Sequence, residues 1–128
     1  MELYKHSKKV TFRLLGFFGE KEMDYKDFEN CGVKKTLDMV SGKWKPLILH
    51  FLFHHGAFRF NELWRSMPKV SRKVLTEHLR QLEAKGLIER QVVNGFPPEV
   101  YYDLSEKGKA LGPILAALDE FGASLEIK

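Results

Sequence analysis

At 128 residues the chain has the length of one ordinary domain, enough to bury a core without disulfide staples. With 44% hydrophobic and 30% charged residues it reads as soluble and globular, and no apolar run approaches the roughly 18 residues a membrane span needs, so no membrane partner is expected. A net charge of +4 is too mild to name a polyanionic ligand by itself, while the single cysteine, Cys31, excludes an internal disulfide framework and points to a reducing, cytoplasmic setting.

Residues 1–30 are expected to be an N-terminal extension that joins a subunit interface or covers the domain's own core. Val10, Phe12 and Leu14 alternate as a strand would, yet Phe12, Leu15 and Phe18 suit a helix equally well. A strand, a helix and a partly ordered arm all stay open. The apolar patch is interrupted by Thr11, Arg13 and Gly16 and has no small-residue cleavage signature behind it, so it does not read as a leader.

From Cys31 the pattern clears, and residues 31–128 are expected to form the main domain. Val33, Leu37 and Val40 recur at helical spacing and stop at Ser41-Gly42. Trp44, Leu47, Ile48, Phe51 and Leu52 then mark a buried helix that tolerates Pro46 only in its first turn and ends near His54, His55 and Gly56. Phe58 to Phe60 is a short extended piece. Asn61 is placed to cap a third helix, whose Phe60, Leu63, Trp64 and Met67 share a face until Pro68.

Ser71 to Arg90 is the stretch around which the chain is organised. Ser71 is an N-cap candidate and Gly86 is suited to a left-handed helix end. Between them Leu75, Leu79 and Leu82 fall on one stripe, and Lys73, Thr76, Glu77 and Arg80 on the opposite one. From Arg65 to Lys85 six basic residues face two glutamates, an excess of four that equals the net charge of the whole chain. Two short helices joined by a tight turn, the second basic on its outer face, make a helix-turn-helix.

Leu87 to Val93 and Val100 to Leu104 read as two strands joined by Asn94-Gly95 and a tip stiffened by Pro97 and Pro98, which is a β-wing. Ser105 caps a last helical region with an apolar seam of Leu111, Ile114, Leu115, Leu118, Phe121 and Leu125, and Pro113 is expected to kink or break it near Gly108 to Gly112. A seam at a chain end has little of its own chain left to cover it, so an intersubunit contact is expected.

These motifs carry a family resemblance. C-G-V-x-x-T-L-D at Cys31 to Asp38, S-G-K-W at Ser41 to Trp44, R-F-N-E-L at Arg59 to Leu63 and S-x-K-V-L-T-x-x-L-R-x-L-E at Ser71 to Glu83 come first. G-L-I-E-R at Gly86 to Arg90, P-P-x-V-x-Y-x-L-S at Pro97 to Ser105 and G-x-x-L-x-P at Gly108 to Pro113 follow in order. Together they resemble the HxlR-type family of bacterial and archaeal transcription regulators. The resemblance implies a fold that is mainly α with a small β-wing, a winged helix-turn-helix with N- and C-terminal dimerisation helices. It further implies a homodimer whose two recognition helices enter successive major grooves of double-stranded operator or promoter DNA, with Ser71, Arg72, Lys73, Thr76 and Arg80 facing the groove. Members often carry a basic residue after the double proline where this chain has Glu99, which argues against a strong phosphate contact there, and the usual Cys-Pro is Cys31-Gly32.

Cys31 is a candidate redox sensor. A thiol just before a helix start and near Lys34 and Lys35 sits in an electropositive setting, and several members of the resembling family sense oxidants or electrophiles through a cysteine at this position. An oxidant or small-molecule inducer is therefore compatible with the sequence, against the alternative of a small hydrophobe at a dimer interface. His50, His54 and His55 have spacing that can hold a metal, but lack a nearby carboxylate or thiol in sequence and read as solvated or capping groups; no metal or cofactor is expected. No phosphate loop or nucleophile elbow appears, so no enzymatic activity is expected. The alternative of another class is a winged-helix protein-interaction module whose basic face is incidental.

Overall fold

A computed structural model of the chain describes residues 8–14, 16–23, 29–67 and 69–125. The chain divides into two compact units, residues 1–39 and 40–128.

In the first unit β1 (Lys8–Leu14) and β2 (Phe17–Met23) form an antiparallel hairpin, in register from Lys8 opposite Met23 to Leu14 opposite Phe17. The alternation of Val10, Phe12 and Leu14 therefore decides over the helical spacing. Gly16 takes the turn with φ of 82°, a left-handed conformation that a side chain would strain. Leu15 lies outside the described residues. Helix α1 (Gly32–Met39) follows, with the Thr36 hydroxyl donating to the Gly32 carbonyl at 2.9 Å.

The second unit carries the core. Helix α2 (Trp44–His55) holds Pro46 in its first turn, where no backbone donor is lost, and buries Ile48, Leu49 and Leu52. A two-residue strand β3 (Phe58–Arg59) leads into α3 (Phe60–Ser66). Asn61 does not cap α3. The helix begins two residues earlier than that cap would set it, with Arg59 at the N-cap position, and the Glu62 carboxylate accepts the Arg59 backbone N–H at 2.9 Å. Pro68 lies outside the described residues.

Helix α4 (Arg72–Ala84) has both ends fixed by local chemistry. Ser71 Oγ accepts the Val74 N–H at 3.1 Å. At the other end Gly86 adopts φ of 75°, the Gly86 N–H bonds to the Glu83 carbonyl at 2.9 Å, and the Leu87 N–H reaches back to the Leu82 carbonyl at 3.0 Å. That is the Schellman pattern, and the two positions that flank its apolar side, Leu82 and Leu87, are both buried. Leu75, Leu79 and Leu82 are buried on the inner face, each contributing about 1.5–3 kcal/mol by removal from water.

Strands β4 (Ile88–Val93) and β5 (Glu99–Leu104) form the wing hairpin, and β3 pairs on the other side of β5, giving the antiparallel order β3-β5-β4. Helix α5 (Glu106–Ala123) starts at Ser105, whose hydroxyl accepts the Gly108 N–H at 3.1 Å and donates to the Gly86 carbonyl, tying the end of α4 to the start of α5. Of the kink or break expected at Pro113, the break does not occur: α5 runs through it as one helix. Pro113 and Lys109, whose carbonyl loses its partner, are both on the exposed side, while Gly108, Gly112 and Leu115 are buried on the other. Packing of the inner face against α2 and β5 carries the helix across the proline.

Among the described residues, no helix is long and apolar enough to cross a membrane.

Candidate nucleic-acid interface

The outer face of α4 carries the candidate site. Ser71, Arg72, Lys73, Thr76 and Arg80 are all exposed, as is Glu77 among them. Because the inner triad and both caps fix the helix, these side chains are presented from a rigid base. Their engagement differs. Thr76 turns its hydroxyl onto the Arg72 carbonyl at 2.8 Å, leaving its methyl group for outward contact. Arg80 pairs with Glu77 at 3.1 Å, and Gln81 also donates to Glu77 at 3.2 Å. Lys73 makes no hydrogen bond or ion pair with any described residue and projects an undivided charge.

His78, on the inner side of the same helix, is half-buried with its Nδ1 shielded and unpartnered. Burial, reinforced by the ammonium of the buried Lys45, pushes its pKa below the ordinary imidazole value and keeps the ring neutral. Its role is therefore in packing. The three α2 histidines pack on rings: His50 meets His54 edge-on at 4.3 Å and lies 3.9 Å from Asp119, while His55 stacks on Phe51 at 5.8 Å.

Linear sequence does not reveal a second charged constellation at the base of the wing. Antiparallel pairing sets Arg59 opposite Tyr101. Arg59 Nε–H donates to the Tyr101 hydroxyl at 3.2 Å, that hydroxyl donates to Glu99 at 2.8 Å, and Arg59 Nη2 closes the ring to Glu99 at 3.1 Å. Only the register of β3 on β5, fixed over more than forty residues of intervening chain, could have disclosed it. From Gln91 to Glu106 the sequence holds no lysine or arginine, and the Phe96 side chain at the wing tip is fully exposed. The tip of the wing thus brings no cation of its own, Arg90 lying nearer its base in β4, and Arg59 is paired with Glu99. Glu99→Gln is expected to release Arg59 and steepen the dependence of log affinity on log salt by about 0.9, one extra phosphate's worth, with tighter duplex binding at low salt. Fluorescence-anisotropy titrations at several salt concentrations check it; an unchanged slope counts against Arg59 reaching DNA.

Cys31 precedes α1 as a free, partly exposed thiol. Hydrogen bonds from the backbone N–H groups of Lys34 and Val33 lower its pKa below the ordinary thiol value. The source is the open N-terminal turn of α1 rather than lysine charge, since the Lys34 ammonium is paired with Asp38 at 2.9 Å.

On the C-terminal seam Leu115 is only 6% exposed and belongs to the chain's own core, and Leu111 is half-buried. Ile114, Leu118, Phe121 and Leu125 stay exposed, from 49% at Leu125 to 66% at Phe121.

A tri-helical core, a capped basic helix behind a tight turn and a two-stranded wing define a winged helix-turn-helix DNA-binding protein. Residues 39–126 match the HxlR-like helix-turn-helix family. The HTH-type transcriptional regulator YdeP of Bacillus subtilis is 43% identical over 75% of this chain and 74% of its own. An HTH-type transcriptional regulator of Methanothermobacter thermautotrophicus is 43% identical over 88% and 86%. Among solved structures, the redox regulator HypR in its oxidised form superposes with a TM-score of 0.72 at 40% identity, covering 77% of this chain and all of the other. The reduced form of the transcriptional regulator YodB from B. subtilis gives 0.64 at 32% identity, covering 74% and 93%. The chain belongs to the HxlR family of transcription regulators.

Proposed function

We propose that the chain acts in the cytoplasm as a homodimer that places Ser71, Arg72, Lys73, Thr76 and Arg80 of each α4 in the major groove of operator DNA. The observation that carries this reading is the exposed basic face of a helix locked from behind by Leu75, Leu79 and Leu82. Residues 1–30 act as an extension and 31–128 as the DNA-binding and dimerising part. The exposed Ile114, Leu118 and Phe121, with Leu111 and Leu115 beneath them, support the C-terminal half of the interface. Binding assays on the DNA upstream of the chain's own gene and its neighbours test the reading. Sequence-specific binding with a steep negative salt slope is expected; absence of duplex binding at low salt, or a monomeric mass at micromolar concentration, defeats it.

Cys31 is the proposed oxidant sensor of this regulator, supported by its lowered pKa and exposure and by the redox regulator HypR among the similar structures. A thiolate loses two electrons to an oxidant such as diamide and ends in a disulfide with a second thiol, either the partner subunit's cysteine or a small thiol. Diamide or a quinone is expected to change operator affinity in the wild type and leave Cys31→Ser unaffected. An identical response from both proteins removes Cys31 from the mechanism.

A further inference from the structure

Between the wing and the first turns of α3 and α4 lies an open concavity of about 730 Å³, lined among others by Arg59, Phe60, Asn61, Arg72 and Phe96. Its two cations are in different states. Arg59 is closed onto Glu99 and Tyr101. The Arg72 guanidinium makes no hydrogen bond or ion pair with any described residue, and lies over two rings, 5.2 Å from the Phe60 centroid and 5.0 Å from that of Trp64. The Trp64 ring is itself pinned, since its indole N–H donates to the Val70 carbonyl at 2.9 Å across the turn that separates α3 from α4.

A guanidinium is planar, and its donors lie in the plane. When aromatic rings engage the face, the N–H fork is left to point away from them, and the side chain surrenders much of its rotamer freedom before any ligand arrives. A fork of that kind matches two oxygens of one phosphate. Resting on the reading that α4 faces DNA, we propose that this concavity seats one phosphate group of the DNA backbone, with Arg72 as the donor and Phe60 and Trp64 as positioning residues that orient it. Arg72 then fixes the register of α4 on the duplex, and the aromatic pair on α3 takes part in binding without touching the ligand. The two helices of the motif are thereby coupled through a side chain as well as through their turn.

A double-mutant cycle on one duplex tests this, with affinities measured across a salt series and folding checked by circular dichroism. Arg72→Ala should lower the magnitude of the salt slope by about 1, as expected for one lost phosphate contact. Arg72→Lys keeps the charge and should keep the slope, but should bind several-fold more weakly because a point charge cannot use the platform. Phe60→Leu keeps an apolar side chain and removes the π face; it should cost about two- to fivefold, the weight of an exposed cation–π contact, when Arg72 is present, and nothing in the Arg72→Ala background. An equal loss in both backgrounds means that Phe60 acts only on folding and overturns the proposal, as does no loss in either. If the wild type binds no duplex at low salt, the DNA-facing reading of α4 falls and takes this one with it; if inorganic phosphate at millimolar concentration competes in the wild type as strongly as in Arg72→Ala, Arg72 is not the donor.

Discussion

Lys73→Ala weakens operator binding by about 1–3 kcal/mol, roughly five- to 150-fold, if its ammonium meets a base edge, and leaves the melting temperature within a degree or two. The residue is exposed and makes no ion pair with any described residue, so its whole charge is available to the ligand and none of it supports the fold. Arg80→Ala is expected to fall in the same range despite the Glu77 pair at 3.1 Å. An exposed pair three residues apart on a helix is worth only about 0.2–0.5 kcal/mol, well below one base contact, so Arg80 can leave Glu77 when DNA arrives. Glu77 then remains on the reading face, free to accept from a cytosine amine or to repel a wrong base. Electrophoretic or anisotropy titrations of both variants check the assignment, and unchanged affinity in both rules out this face.

Gly108→Ala is expected to be the most damaging small substitution in the second unit, lowering the stability measured by urea denaturation by about 1–3 kcal/mol or more. An added methyl group at 108 would run into the Leu87 carbonyl oxygen and press on the Leu104 side chain. The Leu87 carbonyl cannot give way, because it accepts the Ser105 N–H at 3.1 Å and follows directly on the Schellman end of α4. Gly112→Ala should be milder: its methyl group would meet the Phe53 ring, which is exposed enough to swing aside. Gly122→Ala provides the control, having open space around it, and should gain about 0.5–1 kcal/mol from helix propensity alone. If Gly108→Ala matches the control, α5 does not approach β4 as closely as described.

How much of this was legible in the sequence depended on the range of the interaction. Ser71, Ser105 and Gly86 announced their helix ends because capping is settled within three or four residues of chain. The inner triad of α4 was equally open to inspection, since helical periodicity is a local property. Pro113 misled as far as a break was concerned, because a proline reports only what the backbone loses. What α5 gains by laying Gly108, Gly112 and Leu115 on its neighbours belongs to residues distant in sequence. The ring of Arg59, Tyr101 and Glu99 was hidden for the same reason: none of the three signals anything until β3 is registered on β5. Arg72 stood among the expected groove residues, but the rings beneath it read from α3 alone as core-facing positions. Of the two causes expected to lower the Cys31 pKa, the helix start supplies it through the backbone donors of α1, and the charge of the neighbouring lysines does not.

The division of labour within α4 has a consequence for how such regulators diverge. Leu75, Leu79 and Leu82 answer to the core, while positions 73, 76, 77 and 80 answer only to solvent and ligand. Substitutions on the outer set are therefore close to neutral for folding, and those on the inner set close to irrelevant for DNA sequence preference. A duplicated gene can drift to a new operator through a handful of outward changes without passing through an unfolded intermediate. Chains of this kind can then share a scaffold and partition a genome by four or five side chains apiece.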